Sequence, residues 1–511
     1  MNRVNIIPQP SRIELKSGEF CLTPETEILA SEHTRSVAEF LAQHLRPATG
    51  DRLPIKYVDQ ASKHALTLRT ITLQTDSQKA ALGAEGYELS VTAERILITA
   101  LTAAGVFYGC QTLLQLFPSE IEGQKLIQKK YWTIPQLEIE DIPRFSWRGM
   151  HLDVCRHFMP KEFVKKYLDL LARYKMNVFH WHLTDDQGWR IEIEGYPELT
   201  DIAAWRSENG KRYGGYYSRA DIEDIVAYAR ERFVTIVPEI EMPGHALAAL
   251  AAYPELSCTG GTFEVETHWG IFDDVFCAGN NKTFEFLQNV LTQVIEMFPG
   301  QYLHVGGDEC PKTHWKACPK CQARVRTEGL TDEEELQSYF IKRIETFLSS
   351  RNRRLVGWDE ILEGGLPPRA LVMSWRGMEG GIEAVRLGHE VVMCPQSHCY
   401  FDHYQSENYA QEPEAFHGPA VLLEHVYEFE PIPAGLTGKE CRRVLGAQGN
   451  LWTEYIKTPE HAEYMLLPRL CALAEVVWSD ARQRHLENFL TRLNAHYPRF
   501  DALKSKYRHN Q

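Results

Sequence analysis

Two adjacent carboxylates, Asp308 and Glu309, lie near the end of the stretch "YLHVGGDEC". Such a pair can divide acid–base work, one group moving a proton while the other stabilises positive charge. Neighbouring side chains on a β-strand point to opposite faces, so a regular strand could not aim both at one site. Gly306 and Gly307 precede the pair and mark a strand exit, and we therefore expect the alternation to end before the two acids.

Other side chains capable of chemistry recur where short apolar runs end. They are Asp153, Asp185, Asp186, Glu239, Glu241, His245, Trp358, Trp375, Tyr400, Asp402, Trp452 and Glu454. Aromatic walls bind the apolar face of a sugar or a methyl group, and carboxylates accept hydrogen bonds from hydroxyls. The set is typical of an enzyme that acts on carbohydrate.

Arg148 begins the first of these runs, in "WRGMHLDVCRHFMP". A buried guanidinium needs a partner, which could be a bound anion or hydroxyl. A salt bridge from Arg148 to an aspartate inside the fold is the alternative reading.

Motifs for cofactors and for other nucleophiles are missing from the sequence. No Gly-x-Gly-x-x-Gly follows an apolar run and no serine occupies a nucleophile elbow, so we expect no cofactor. His180 and His182, in "FHWHL", could suggest a metal pair, but packing is favoured for two histidines that flank an aromatic residue within a strand.

Eight short apolar runs alternate with helical patterns from about residue 145 onward. They are "WRGMHLDV", "MNVFHWHL", "FVTIVPEI", "YLHVGG", "RRLVGW", "ALVMSW", "EVVMC" and "VLGAQGN". Alternating β and α elements predict a parallel sheet, and eight of them predict an α/β fold of the (β/α)8 TIM-barrel type. The carboxyl ends of its strands would then place the polar side chains together.

A small α+β domain without a concentrated polar motif is predicted for residues 1–140. Its strands are "LPIKYV", "HALTLRT", "GYELSVT" and "RILITAL", followed by a helix in "TAAGVFYGCQTLLQLF". The prolines of "YWTIPQLEIEDIPRF" predict a linker to the barrel at 141–490, and residues 491–511 read as a partly helical tail. We expect the first domain to be non-catalytic.

Bulk properties restrict the function further. A net charge of -14 and a pI near 5.8 argue against nucleic acid as a partner, and no apolar run is long enough for a membrane span. The N-terminus lacks the apolar region of a secretory signal. We therefore expect a cytoplasmic protein if Met1 is the native start, and a periplasmic or secreted one if a signal was removed.

One group of the twelve cysteines is clustered, in "CPKTHWKACPKC". Cys310, His314, Cys318 and Cys321 could form a structural zinc site or a redox-sensitive thiol pair, but a second zinc half-site at the usual spacing is not evident. The sequence favours unpaired loop thiols and no metal.

Five motifs together resemble the β-N-acetylhexosaminidases of glycoside hydrolase family 20. They are "HVGGDE", "HWHLTDDQGWR", "RGMHLDVCRHF", "EMPGH" and "NLWTE", and "GYELSVTAERILITALTAAGVFYGCQTLLQL" resembles the domain that precedes the barrel in this family. The resemblance implies a retaining exo-glycosidase that releases terminal β-linked GlcNAc or GalNAc from oligosaccharides or glycoconjugates.

Catalytic roles follow from the resemblance. Glu309 would be the general acid and then the base, while the substrate's own 2-acetamido oxygen would be the nucleophile and close to an oxazolinium ion. Asp308 would hold the acetamido N–H and stabilise the developing positive charge. Tyr400 would bind the acetamido oxygen, and Trp358, Trp375 and Trp452 would enclose its methyl group.

The remaining site residues would bind and support the substrate. Arg148, Asp402 and Glu454 would hold ring hydroxyls, with Asp185 supporting Arg148. His245 and Glu241 would flank Glu309, although some members of the family have aspartate in place of Glu241.

Two further readings stay open at this stage. One is a lacto-N-biosidase-type or transglycosylating enzyme on the same scaffold, and the other is a catalytically inactive sugar-binding protein. Members of the family are often dimers through the barrel, so a homodimer is one expectation for the oligomeric state.

Overall fold

A computed structural model describes residues 4–57, 69–128 and 131–509. They form a seven-stranded sheet followed by a closed barrel of eight parallel strands, as the apolar runs predict. Within these ranges no helix is long and apolar enough to cross a membrane.

The N-terminal sheet has the strand order β1-β7-β5-β6-β4-β2-β3. Its strands are β1 (Arg12–Leu22), β2 (Glu27–Ala30), β3 (Ile55–Tyr57), β4 (Thr70–Thr75), β5 (Tyr87–Val91), β6 (Arg95–Ala100) and β7 (Trp132–Asp141). Helices α1 (Arg35–Thr49) and α2 (Ala103–Leu116) belong to the same unit. Of the predicted elements, β3, β5, β6 and α2 are present, whereas "HALTLRT" lies outside the described residues except for its last two.

The predicted linker is wrong, because Trp132–Asp141 forms β7 in the sheet interior. This strand pairs antiparallel with β1 on one side and with β5 on the other. Pro135 is tolerated since pairing with β5 begins only at Leu137, and the irregularity of β1 between Leu15 and Glu19 lies opposite.

The barrel closes in the order β14-β15-β16-β17-β18-β19-β8-β9. Its strands are β8 (Trp147–Asp153), β9 (Val178–His182), β14 (Thr235–Glu239), β15 (Tyr302–His304), β16 (Arg354–Trp358), β17 (Leu371–Ser374), β18 (Val391–Met393) and β19 (Val444–Gly449). Two short hairpins lie between β9 and β14, formed by β10 (Thr184–Asp185) with β11 (Gly188–Trp189) and β12 (Trp205–Glu208) with β13 (Lys211–Gly214). All seven positions of β8 are buried, which is why such strands read as continuous apolar runs.

The barrel region and the tail contain sixteen α-helices among the described residues. They are α3 (Lys161–Arg173), α4 (Glu198–Asp201), α5 (Arg219–Arg230), α6 (Leu247–Ala252), α7 (Asn281–Met297), α8 (Thr313–Ala317), α9 (Pro319–Glu328), α10 (Glu333–Ser350), α11 (Glu379–Arg386), α12 (Gln396–Cys399), α13 (Leu423–Glu428), α14 (Gly438–Cys441), α15 (Pro459–Leu466), α16 (Arg469–Trp478), α17 (Leu486–Asn494) and α18 (Tyr497–Ala502). Those that cover the barrel are amphipathic; α3, for example, buries Phe163, Tyr167, Leu168 and Leu171 against it.

The C-terminal helices hold the N-terminal unit against the barrel. Arg499 in α18 donates hydrogen bonds to the carbonyl oxygens of Leu114, Gln115 and Phe117, which lie at the end of α2 and just after it. Each guanidinium N–H that binds a buried carbonyl satisfies a group that would otherwise be costly to desolvate. The tail is therefore part of the domain contact.

Candidate active site

The chain leaves strand geometry before it reaches the two acids. After β15 ends at His304, Gly306 and Gly307 have φ angles of +66° and +94°, and Glu309 has a φ of +43°. A non-glycine residue with a left-handed backbone conformation costs about 1–3 kcal/mol. Such residues occur most often at functional sites. This turn brings Asp308 and Glu309 to one partner, since Asp308 Oδ2 and Glu309 Oε2 each lie 3.6 Å from His245 Nε2.

His245 links the acid pair to a second pair of carboxylates. Its Nδ1 lies 3.0 Å from Asp186 Oδ2 and 3.3 Å from Asp185 Oδ1. Burial opposes a charge on the ring, but the charge of Asp185 and the hydrogen bonds that the ring donates to both aspartates raise the pKa of His245 well above its usual range. The imidazolium therefore faces Asp308 and Glu309 with a positive charge.

Asp185 is bound by Arg156, which follows β8. Arg156 Nη2 lies 3.0 Å from Asp185 Oδ2, and Nη1 lies 3.2 Å from Asp153 Oδ2 and 3.8 Å from Glu454 Oε1. Burial would raise the pKa of Asp185, yet Arg156 and His245 outweigh it and hold that pKa well below the usual range. A guanidinium thus reaches the carboxyl end of the barrel.

The prediction for Arg148 is wrong. Arg148 lies at the amino end of β8, where Nη1 and Nη2 bind Glu85 of the N-terminal unit at 2.8 and 2.9 Å and Nε donates to the Lys175 carbonyl. A strand rises about 3.3 Å per residue, so Arg148 and Asp153 are at opposite ends of β8. Asp185 therefore supports Arg156, which the motif "RGMHLDVCRHF" also contains.

Glu241 lies against the backbone of Gly306. A Cβ at Gly306 would be 1.6 Å from Glu241 Oε2, so the glycine is required for this approach. Neither carboxyl oxygen has a hydrogen-bond partner among the described residues. Burial, followed by the charges of Asp308 and Glu239, raises the pKa of Glu241 well above its usual range and so favours the neutral acid.

The pKa of Asp308 itself is raised to about 7. Burial is the main cause; His245 opposes the shift and the charge of Glu309 adds to it. Oδ1 of Asp308 is buried and has no hydrogen-bond partner among the described residues. Asp308 is therefore poised to change charge when a donor binds it.

Four aromatic side chains line the same end of the barrel. The rings of Trp358 and Trp452 are 5.9 Å apart, and those of Trp375 and Tyr400 stack at 6.0 Å. The Trp452 side chain hydrogen-bonds Tyr400, whose pKa is raised well above its usual range by burial. Trp358 is almost fully buried, and its Nε1 has no partner among the described residues.

Glu360 is a site residue that the sequence reasoning missed. Its Oε2 accepts the N–H of Trp375 at 2.9 Å, and burial, then the charges of Asp308 and Asp359, raise its pKa to about 9. It belongs to "VGWDE", directly after β16. The criterion that selected Trp358, a position at a barrel strand end, would also have found it.

Asp402 and Glu454 are two further carboxyl groups at this end of the barrel. Burial, followed by the charge of Glu454, raises the pKa of Asp402 well above its usual range, and Oδ1 of Asp402 has no partner within the described ranges. Burial also raises the pKa of Glu454, although Arg156 opposes the shift. These carboxyls could accept hydrogen bonds from a polyhydroxylated ligand.

His180 and His182 lie on one inward face of β9 and bind Glu239. His182 Nδ1 is 2.5 Å and His180 Nε2 is 3.1 Å from Glu239 Oε2, and His304 Nδ1 is 2.7 Å from Oε1. Residues two apart share a strand face, so Trp181 between them points outward. His182 also contacts Asp185 at 2.8 Å, which connects Glu239 to the His245 network.

Family comparisons match both units of the chain. "Glycosyl hydrolase family 20, catalytic domain" matches residues 145–481, and "Glycosyl hydrolase family 20, domain 2" matches residues 3–142. A β-hexosaminidase of Porphyromonas gingivalis is 46% identical over 501 residues, which cover 98% of this chain and 63% of that protein. A β-hexosaminidase of Vibrio furnissii is 36% identical and covers 92% of this chain and 76% of that protein. The chain therefore spans just under two thirds of the Porphyromonas protein's length.

Solved structures show the same architecture. The family 20 β-N-acetylhexosaminidase of Streptomyces coelicolor superposes with a TM-score of 0.88 at 32% identity, over 99% of this chain and 98% of that one. A mutant Streptomyces plicatus β-hexosaminidase, in complex with its product GlcNAc, has a TM-score of 0.87 at 32% identity, over 99% of this chain and 97% of that one.

Proposed function

Because the chain belongs to glycosyl hydrolase family 20, we propose that it is a retaining exo-β-N-acetylhexosaminidase that releases terminal β-linked GlcNAc or GalNAc. The observation that carries the proposal is the convergence of Asp308 and Glu309 on one nitrogen of His245, 3.6 Å from each, within a ring of aromatic and acidic side chains. Such an arrangement serves two acids with different tasks at one bond.

Glu309 is the proton carrier in this proposal. Its side chain is 34% exposed, more open than that of Asp308 at 12%, so it can reach a glycosidic oxygen that enters from solvent. It protonates the leaving oxygen and then takes a proton from the water that completes hydrolysis. His245, held by two aspartates, fixes the carboxyl in place.

Asp308 acts on the substrate's acetamido group. Its free Oδ1 accepts the amide N–H, and this bond favours the ionised carboxylate over the neutral acid that burial favours. The carboxylate then stabilises the positive charge of the oxazolinium ion. Holding the acetamido oxygen at the anomeric carbon removes an entropic barrier of up to several kcal/mol.

The other carboxyls near the pair support a route without a protein nucleophile. Burial favours the neutral acid at both Glu241, which is enclosed against Gly306, and Glu360, whose Oε2 accepts the N–H of Trp375. In this proposal the nucleophile is the substrate's own acetamido oxygen, with Tyr400 as its hydrogen-bond donor. Trp358, Trp375 and Trp452 enclose the methyl group.

Arg156 takes the hydroxyl-binding role that the sequence assigned to Arg148. It lies between Asp185 and Glu454, and Asp402 completes an acidic rim for the sugar ring. Hydrogen bonds from ring hydroxyls to these groups give strong selectivity for hydroxyl positions, because a buried polar group left without a partner is costly.

Hydrolysis of an aryl β-GlcNAc by the wild-type enzyme and by the variants Asp308→Asn and Glu309→Gln tests the proposal. Asp308→Asn and Glu309→Gln should each lower kcat by at least about 100-fold, the usual range for loss of a general acid or of charge stabilisation. A stable thiazoline analogue of the oxazolinium ion should inhibit the wild-type enzyme strongly. Near-normal turnover by Asp308→Asn, with unchanged circular dichroism, would contradict the assignment.

A further inference from the structure

Four cysteine sulfurs from three separate segments meet next to the barrel. Cys258 Sγ lies 3.7 Å from Cys321 Sγ, and Cys277 Sγ lies 3.8 Å from Cys318 Sγ and 3.6 Å from Cys321 Sγ. All four sulfurs lie within 4.8 Å of one another. Cys277, Cys318 and Cys321 are buried, and Cys258 is half-buried.

The cluster differs from the set that the sequence suggested. Cys310 Sγ faces the Pro311 carbonyl, and His314 Nε2 pairs with Asp274 Oδ1 at 3.4 Å. Cys318 and Cys321 are joined instead by Cys258 and Cys277, which lie more than forty positions before Cys318 along the chain. No spacing rule links these two cysteines to "CPKC".

The sulfur spacing matches tetrahedral coordination and not disulfide bonding. A Zn–S bond of about 2.3 Å places tetrahedral sulfurs about 3.8 Å apart, whereas bonded sulfurs are about 2.05 Å apart. Cys277 and Cys321 each have two sulfur neighbours at nearly equal distance. A disulfide would select one neighbour, but a shared central ion needs all of them.

The backbone around the cluster also favours a bound metal ion. The Gly279 N–H is directed at the sulfurs of Cys277 and Cys321, and a Cβ at Gly279 would lie 2.1 Å from the carbonyl carbon of Lys320. Only glycine allows this close approach of two loops. Hydrogen bonds of this kind orient metal-bound thiolates and stabilise their charge.

Charge in the cluster also favours a cation. Cys318 directly precedes α9 and Cys321 lies in its first turn, where the helix dipole stabilises negative charge by about 0.3–1 kcal/mol. The thiolate, not the thiol, is the form that binds a metal.

We propose that Cys258, Cys277, Cys318 and Cys321 bind one structural zinc ion. Four sulfur ligands fill a tetrahedral site and leave no open position, so the ion would be structural and not catalytic. This inference does not depend on the proposed hydrolase activity.

The ion would fasten a loop that borders the active site. Within the segment between Cys258 and Cys277, the Glu266 N–H donates to the Asp186 carbonyl at 3.1 Å and the His268 carbonyl accepts from Gln187 Nε2 at 2.8 Å. The other two ligands belong to the chain that leaves Glu309. Zinc would thus join the loop over Asp186 to the segment that follows the acid pair.

Metal analysis of the full-length protein, purified without chelator, tests the proposal. We expect about one zinc per wild-type chain, as for a single closed four-thiolate site, and background zinc in Cys277→Ser. Cys310→Ser is the matched control, since Cys310 is a buried neighbouring thiol outside the cluster, and it should keep its zinc. Equal loss of zinc in both variants would overturn the assignment.

A second measurement on the wild-type chain covers the case in which Cys277→Ser does not fold. Exchange of zinc for Co²⁺ should give the intense visible absorption of tetrahedral cobalt thiolates, and a mercurial thiol reagent should release the bound ion in step with cysteine modification. A wild-type protein that binds neither zinc nor Co²⁺ would refute the site. An intact mass that shows the loss of two hydrogens for each disulfide within the four would refute it as well.

Discussion

Gly306→Ala tests the geometry that turns the two acids toward one partner. The substitution places a methyl group 1.6 Å from Glu241 Oε2, at a residue whose φ is +66°. The carboxyl of Glu241 is enclosed and cannot share its position, so either Glu241 or the Gly306–Asp308 backbone must move. Both movements disturb the site.

The size of the effect separates into two parts. A left-handed alanine costs about 1–2 kcal/mol, and overpacking of an enclosed site costs about 1–3 kcal/mol more. Gly195→Ala is the matched control, because Gly195 has a φ of +83° and a Cβ there would meet nothing within 4 Å. The control should show the first part alone. The stabilisation that comes from the lower conformational entropy of the unfolded chain is the same in both variants.

Urea denaturation followed by tryptophan fluorescence measures the difference in the free energy of unfolding between the two variants. We expect the free energy of unfolding of Gly306→Ala to lie about 1–3 kcal/mol below that of Gly195→Ala. The kcat of Gly306→Ala should fall by about 100-fold, since a shift of about 1 Å in a catalytic group has effects of that size. Equal stability of the two variants, with normal kcat in Gly306→Ala, would refute the account of this turn.

Three other predictions concern the groups around the acid pair. Arg156→Met should lower kcat/KM strongly and the free energy of unfolding by about 3–5 kcal/mol. Arg148→Met should lower the free energy of unfolding by a similar amount but leave KM unchanged in the folded fraction. Equal KM values for the two variants would contradict the assignment of the hydroxyl-binding role to Arg156. The folded-state pKa of Glu360, about 9, exceeds its ordinary value of 4.5, so the stability it contributes is full below about pH 4.5 and is lost as the pH rises toward 9. Glu360→Gln should therefore flatten the decline in the free energy of unfolding over that range, while Glu363→Gln, at an exposed neighbour, should not. Trp375→Phe should raise KM for an aryl β-GlcNAc less than Trp375→Ala does, because only the first keeps the ring stacked on Tyr400.

The barrel and most of its site could be predicted because their signals are local. Each barrel strand is buried on both sides and reads as a short apolar run, and the polar residue after it falls at the carboxyl end. Asp308, Trp358 and Glu454 follow from this rule without knowledge of any contact. The parallel closed topology then brought them together.

The missed features depend on contacts between distant segments. Arg148 looks like a site residue until Glu85, from the other unit, is seen to bind it. β1 gives no strand signal because most of its side chains are exposed and it lacks apolar alternation. β7 resembles a linker because Pro135 lies within it and Pro143 follows it. The cysteine cluster joins Cys258 and Cys277 to a motif that gives no indication of either.

Hydrolysis of a series of aryl β-glucosaminides with acetyl, fluoroacetyl, difluoroacetyl and trifluoroacetyl groups on the nitrogen tests the central claim most directly. Each fluorine makes the amide oxygen a weaker nucleophile while the leaving group stays the same. If the substrate's own oxygen attacks the anomeric carbon beside Asp308, kcat should fall steeply with each added fluorine. A kcat that stays constant across the series would contradict the account, because the nucleophile would then belong to the protein or to water.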